Sequence, residues 1–184
     1  IPVVEGLFAL YANFPTDHAL YQGPGRPPLI DEADLILTIG CRQPWYPLAK
    51  KPRKARIVAI DDTPFRDHMV YQPSEAERFI EGNITANLER LAEAVRAVGP
   101  DAQAVEARRE TWTAASDARR AELKTIEVEA ATRDTISPAL LAAELAKAAP
   151  DDAIFVDECI THRPAILRHL RSGAAHSYFR VNGE

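Results

Sequence analysis

DLILTIG (residues 34–40) and ARIVAIDD (residues 55–62) decide the fold class of this chain. A strand with one wet face alternates polar and apolar residues. Here Leu35, Ile36, Leu37 and Ile39 are interrupted only by Thr38, and Ile57, Val58, Ala59 and Ile60 are not interrupted at all. Runs of this length, ended by Gly40 in one case and by Asp61 and Asp62 in the other, read as central strands of a parallel sheet covered on both faces.

On the carboxyl side of these runs, residues 78–83 form a third, weaker strand pattern. Ile84, Leu88, Leu91, Ala92 and Val95 then recur at helical spacing until Gly99-Pro100 stops the helix. On the amino side, residues 1–4 read as a short buried strand, followed by a long irregular stretch carrying Pro15, Gly23, Pro24, Gly25, Pro27 and Pro28. Strands alternating with helices in this way imply an α/β fold, a Rossmann-like doubly wound parallel sheet.

Residues 101–133 change character. Ala, Glu and Arg dominate without Gly or Pro, and the pattern predicts one long, mostly exposed helix, its acids and arginines forming a solvated face. Ser137, with Pro138 at the first helical position, opens a further helix through Lys147. A strand at 153–157, a helix from about Thr161 to Arg171 and a strand at 177–181 complete a β-α-β unit. The expected organisation is an incomplete central domain over 1–98, a helical linker over 99–136 and the beginning of a second α/β domain over 137–184. A strand-like start at Ile1-Pro2-Val3-Val4 suggests the middle of a larger protein.

Composition narrows the function classes. The 184 residues are 46% hydrophobic and 27% charged, a globular balance, and the net charge of −5 supplies no basic surface for nucleic acid. No apolar run is long enough to span a membrane, and Cys41 and Cys159 fit no zinc-site spacing. Reduced thiols in the cytoplasm are the expectation.

Ligands of open parallel sheets sit beyond the carboxyl ends of the strands. Three stretches qualify. In Gly40-Cys41-Arg42, Arg42 either meets an anion such as a nucleotide phosphate or solvates a strand end. Asp61 either takes ribose hydroxyls or caps a turn; the glycine-rich fingerprint of dinucleotide folds is missing before it. Trp45 and Tyr46 either line a pocket or anchor a loop. In DECITHR, residues 157–163, Thr161 and His162 stand where a helix begins. There they either meet a phosphate or carboxylate, or Thr161 is an ordinary N-cap and Asp157-Glu158 merely finish a strand. No catalytic triad pattern and no P-loop is present in the sequence.

Taken in order, FPTDHALYQGPG, DEADLILTIGCRQPWYP, ARIVAIDDTPF, FIEGNITANLERL and ISPALLAAELAKAAPDDAIFVDE resemble thiamine diphosphate-dependent enzymes of the acetolactate synthase, benzoylformate decarboxylase and benzaldehyde lyase group. The resemblance spans essentially the whole chain and lies in the order of the stretches rather than in one motif. It implies most of a central Rossmann-like domain, a linker and the opening of a pyrophosphate-binding domain. Cys159, Ile160, Thr161 and His162 would then fall in a cofactor-facing loop, with Thr161 and His162 contacting diphosphate or substrate. Arg42 would stand where relatives that bind FAD place a flavin-contacting arginine. The resemblance further implies thiamine diphosphate and Mg²⁺ as cofactors, a 2-keto acid or aldehyde as substrate, and a homodimer or homotetramer. The activating glutamate and the Gly-Asp-Gly metal motif of the family have no counterpart here, so this stretch by itself is expected to be inactive.

Overall fold

The computed structural model describes residues 1–6, 9–25, 28–41, 45, 51–65, 76–170 and 177–181. Every pairing between its strands is parallel. The chain divides into two compact units. One comprises Ile1–Glu5, Ala9–Pro24 and Ala107–Glu184, the other Gly6–Phe8 and Gly25–Glu106.

The second unit holds a sheet ordered β3 (Leu35–Ile39), β4 (Arg56–Asp61), β5 (Arg78–Glu81), preceded by the single-turn α1 (Leu29–Glu32). The fully apolar run of β4 is explained by its place between two neighbours: Ile57, Ala59 and Ile60 are each 3% exposed or less. The run of β3 misled. Among the described residues β3 pairs with β4 alone, and Leu35 and Ile39 are 51% and 43% exposed, so it is an edge strand with one open face. Trp45 is buried, as a loop anchor would be, while Tyr46 lies outside the described residues.

Helix α2 (Ile84–Val98) forms where the spacing predicts it, because both ends carry their own stop signals. Asn83 Oδ1 accepts from Ala86 N at 2.9 Å, and Gly99 adopts the left-handed conformation that closes the last turn. Gly40 also has positive φ, 54°, and its N–H donates to Ile60 O at 2.9 Å; a side chain there would press on Ile84 Cδ1 at 3.2 Å.

The first unit contains two two-stranded sheets, β1 (Val3–Glu5) with β2 (Tyr21–Pro24), and β6 (Phe155–Asp157) with β7 (Tyr178–Arg180). Strand β2 lies inside the stretch expected to be irregular. Residues 10–12 run along the outer edge of β7, where Ala12 N donates to Tyr178 O at 3.0 Å and Arg180 N to Leu10 O at 2.7 Å. These bonds satisfy backbone groups that an open edge would leave bare.

Helix α3 (Ala102–Ala131) is the long helix expected, but its polar residues are not all solvated. Ser116, Glu127 and Ala130 are buried at helical spacing, Ser116 Oγ donating to Tyr21 O at 2.9 Å. The Arg119 guanidinium lies 5.1 Å from the centre of the Tyr21 ring, a cation–π contact. A buried stripe of Ser116, Glu127 and Ala130, with the half-buried Arg119 beside it, leaves little apolar periodicity to read. Helix α4 (Pro138–Ala148) begins at its Ser137 cap, whose Oγ accepts from Leu140 N at 3.2 Å. With α5 (Arg163–His169) it packs a core of Ala142, Leu170 and Tyr178, flanked by Phe155, Ile166 and Leu167.

Candidate functional site

The carboxyl end of β6 turns into α5 through residues 158–162, and Asp157 organises that turn. It is 6% exposed yet ionisable, so its carboxylate must be matched by donors. Oδ1 accepts from Cys159 N at 2.6 Å, bending the chain back two residues on, while Oδ2 accepts from Tyr178 Oη at 2.6 Å. The Arg163 guanidinium stands over the same oxygen, Nε to Oδ2 3.7 Å, as an ion pair without a hydrogen bond. One carboxylate thereby fixes the end of β6, the start of β7 and the first residue of α5. Burial pushes the Tyr178 hydroxyl pKa up, and the hydrogen bond to Asp157 and its charge push it further.

Within this frame Glu158, Ile160, Thr161 and His162 are exposed and Cys159 is half-buried. Thr161 is not the N-cap: α5 begins at Arg163, the cap position is His162, and no side-chain cap bond forms there. Pro164 near the start, lacking an N–H, removes the need for one backbone partner in that turn. Asp157 does finish a strand, but it also holds the loop that follows. Nothing in the sequence marked Tyr178 as its partner, since the two are 21 residues apart.

At the sheet of the other unit, Asp61 is 4% exposed and its Oδ1 accepts from Thr63 N at 2.8 Å, the turn-capping alternative. Its backbone O accepts from Gly82 N at 3.0 Å, which locks the ends of β4 and β5 together. Arg42, the candidate flavin contact, lies outside the described residues. Among the described residues no cluster of three or more His, Cys, Asp or Glu side chains is placed to hold a metal ion, and no helix is long and apolar enough to cross a membrane.

Solved structures share this arrangement. An X-ray structure of a protein from Mycobacterium smegmatis, described as a thiamin diphosphate-dependent enzyme, superposes on 97% of this chain and 33% of its own with a TM-score of 0.60 at 18% identity. Benzoylformate decarboxylase from Polynucleobacter necessarius gives 0.60 at 17% identity, over 97% of this chain and 32% of its own. The chain has the fold of thiamin diphosphate-dependent enzymes. A thiamin diphosphate-dependent 4-hydroxybenzoylformate decarboxylase from Rhodococcus jostii RHA1 agrees at 0.51 and 16% identity, over 97% of this chain and 32% of its own. The chain therefore spans about a third of the length of these thiamin diphosphate-fold structures. No protein-family model and no curated protein sequence matches it.

The loop 158–162 presents polar side chains to its surroundings. Thr161 and His162 are open to a ligand, and the adjacent Arg163 guanidinium carries a buried Nε with no hydrogen-bond partner among the described residues. Two exposed polar side chains thus stand at the carboxyl end of a parallel pair, beside an Arg163 guanidinium whose charge is paired with Asp157.

Proposed function

We propose that this chain is part of a thiamine diphosphate- and Mg²⁺-dependent enzyme that cleaves or forms a C–C bond next to a carbonyl, with a 2-keto acid or aldehyde as substrate. The carrying observation is the Asp157-held loop presenting Thr161 and His162 on a fold shared with such enzymes over 97% of the chain.

The cofactor, when bound, supplies the electron sink for the C–C bond chemistry. The residues of this chain supply position. Thr161 Oγ1 and the His162 imidazole donate to the diphosphate or to the substrate, and Cys159 contributes to the wall of the loop. The support rests on these side chains and not on a helix dipole, because α5 is only seven residues long. Asp157 keeps its own charge away from the anion by spending both oxygens on Cys159 N and Tyr178 Oη. In this reading the groups that would hold Mg²⁺ lie outside these residues, and Arg42 would be the contact for FAD in an enzyme that carries it. The complete enzyme acts in the cytoplasm as a homodimer or homotetramer.

The test is release of CO₂ from aromatic and aliphatic 2-keto acids, and C–C ligation of aldehydes followed by product chromatography, by the intact polypeptide that carries these residues, with and without thiamine diphosphate and Mg²⁺. Turnover that requires both supports the reading. Turnover independent of both, or none with any 2-keto acid or aldehyde, contradicts it.

A further inference from the structure

Thr161 and His162 carry no support of their own. Neither side chain makes a hydrogen bond among the described residues, and α5 has no side-chain cap where His162 enters it. Where these two side chains stand is therefore decided by the ends of the loop. The far end is tied to α5, His162 O accepting from Ala165 N at 3.0 Å and from Ile166 N at 3.1 Å. The near end is held through the bond from Cys159 N to Asp157 Oδ1.

A carboxylate is a rigid plane, so the position of Oδ1 is set by what holds Oδ2. Among the described residues two donors face that oxygen. Tyr178 Oη reaches it at 2.6 Å, while Arg163 Nε stands off at 3.7 Å, beyond hydrogen-bond reach. They pull from different elements, β7 and the first turn of α5. The phenol is the fixed one: its ring packs with Ala142 and Leu170 in the core, and its backbone O accepts from Ala12 N at 3.0 Å. Arg163 carries a buried Nε with no hydrogen bond, which the carboxylate satisfies by turning toward it. Charge-assisted N–H···O bonds close to about 2.8 Å, so without the phenol Arg163 draws Oδ2 over by roughly 1 Å and Oδ1 leaves Cys159 N.

We propose that Tyr178 is the positioning residue of the loop 158–162. Its hydroxyl holds the Asp157 carboxylate away from Arg163, keeps Cys159 N bonded, and so sets where Thr161 and His162 meet a ligand. At 4% exposed, Tyr178 acts through Asp157 and not by touching that ligand. The ligand's identity rests on the thiamine diphosphate reading; the geometry of the loop does not. A displacement of about 1 Å suffices to weaken contacts that need short, straight hydrogen bonds.

Two readouts on the intact polypeptide test this: hydrogen exchange at the Cys159 amide, followed by NMR, and calorimetric titration of thiamine diphosphate with Mg²⁺. Tyr178→Phe keeps the ring in its packing and removes only the hydroxyl. It should speed Cys159 exchange by about tenfold or more and weaken cofactor binding by about tenfold. Ser116→Ala is the control. It removes another buried hydrogen bond of the same unit, Ser116 Oγ to Tyr21 O at 2.9 Å, and should move neither readout by more than about twofold. Asp157→Asn offers an oxygen to Cys159 N and an NH₂ to Tyr178 Oη without attracting Arg163, and should keep most of the exchange protection. Unchanged Cys159 exchange in Tyr178→Phe, equal acceleration in Ser116→Ala, or protection lost in Asp157→Asn as fully as in Tyr178→Phe would overturn the proposal. Faster exchange with cofactor affinity unaltered would overturn it as well. If the parent binds no thiamine diphosphate, the cofactor reading falls, and the exchange comparison still decides the role of Tyr178.

Discussion

Tyr178 Oη donates to Asp157 Oδ2 at 2.6 Å, so the first residue of β7 is bonded to the last residue of β6 one step from the candidate loop. The bond joins two buried groups, one of them charged, and such bonds contribute about 1.5–3 kcal/mol net. Tyr178→Phe should lower the unfolding free energy by that amount in urea denaturation. Asp157→Ala also deprives Cys159 N and Arg163 of their partner and should cost about 3 kcal/mol or more. An Asp157→Ala loss no larger than that of Tyr178→Phe would show that Asp157 does not organise the turn.

Burial and a neighbouring carboxylate raise the hydroxyl pKa of both Tyr21 and Tyr178. A phenol whose folded pKa is raised stabilises the fold below its unfolded pKa, about 10, and that contribution is lost as pH rises through the folded value. Of the five tyrosines in the sequence, these two should resist ionisation in an ultraviolet absorbance titration until the protein unfolds in alkali. Ionisation of all five near pH 10 in the folded protein would refute this.

Glu5 is also shifted upward, by burial, although the hydrogen bond from Tyr21 Oη at 2.8 Å opposes the shift. Its folded pKa exceeds the unfolded one, so its contribution is full below about pH 4.5 and is lost as pH rises through the folded value. Glu5→Gln keeps an acceptor for Tyr21 and removes the titration. The variant should therefore gain stability relative to the parent between acid and neutral pH, which urea unfolding at the two ends would reveal. A constant difference between the two proteins would exclude the effect.

Glu127 and His169 meet at 3.0 Å in a buried contact between α3 and α5. Replacing either alone weakens a buried contact, a cost of about 1–3 kcal/mol. In a double-mutant cycle with Glu127→Gln and His169→Phe, the losses should be non-additive by about 0.5–3 kcal/mol. Additive losses would mean that the pair does not act as a unit.

What the sequence showed and what it hid have separable causes. Helix α2 was legible to the residue because Asn83, the apolar spacing and Gly99 are all local signals. Helix α4 was legible for the same reason, through Ser137 and Pro138. Strand β2 was hidden by its Gly23-Pro24 ending, which reads as turn chemistry, although Tyr21 is 1% exposed. Edge and centre were confused at β3 because an apolar run records that a strand is apolar, not who its neighbours are. At the candidate site, Thr161 and His162 could be placed at a strand-to-helix turn. The Asp157 to Tyr178 bond and the Glu127 to His169 pair could not, since they join residues 21 and 42 positions apart through tertiary packing alone.

The most direct test of the central claim is a calorimetric titration of thiamine diphosphate, with Mg²⁺, into the intact polypeptide and into its T161A/H162A variant. Both substituted side chains are exposed, so the variant should fold as the parent does. The account predicts Mg²⁺-dependent binding to the parent and affinity weaker by about tenfold or more in the variant, as the loss of two polar contacts to a charged group requires. No binding to the parent, or equal binding to both, would contradict it.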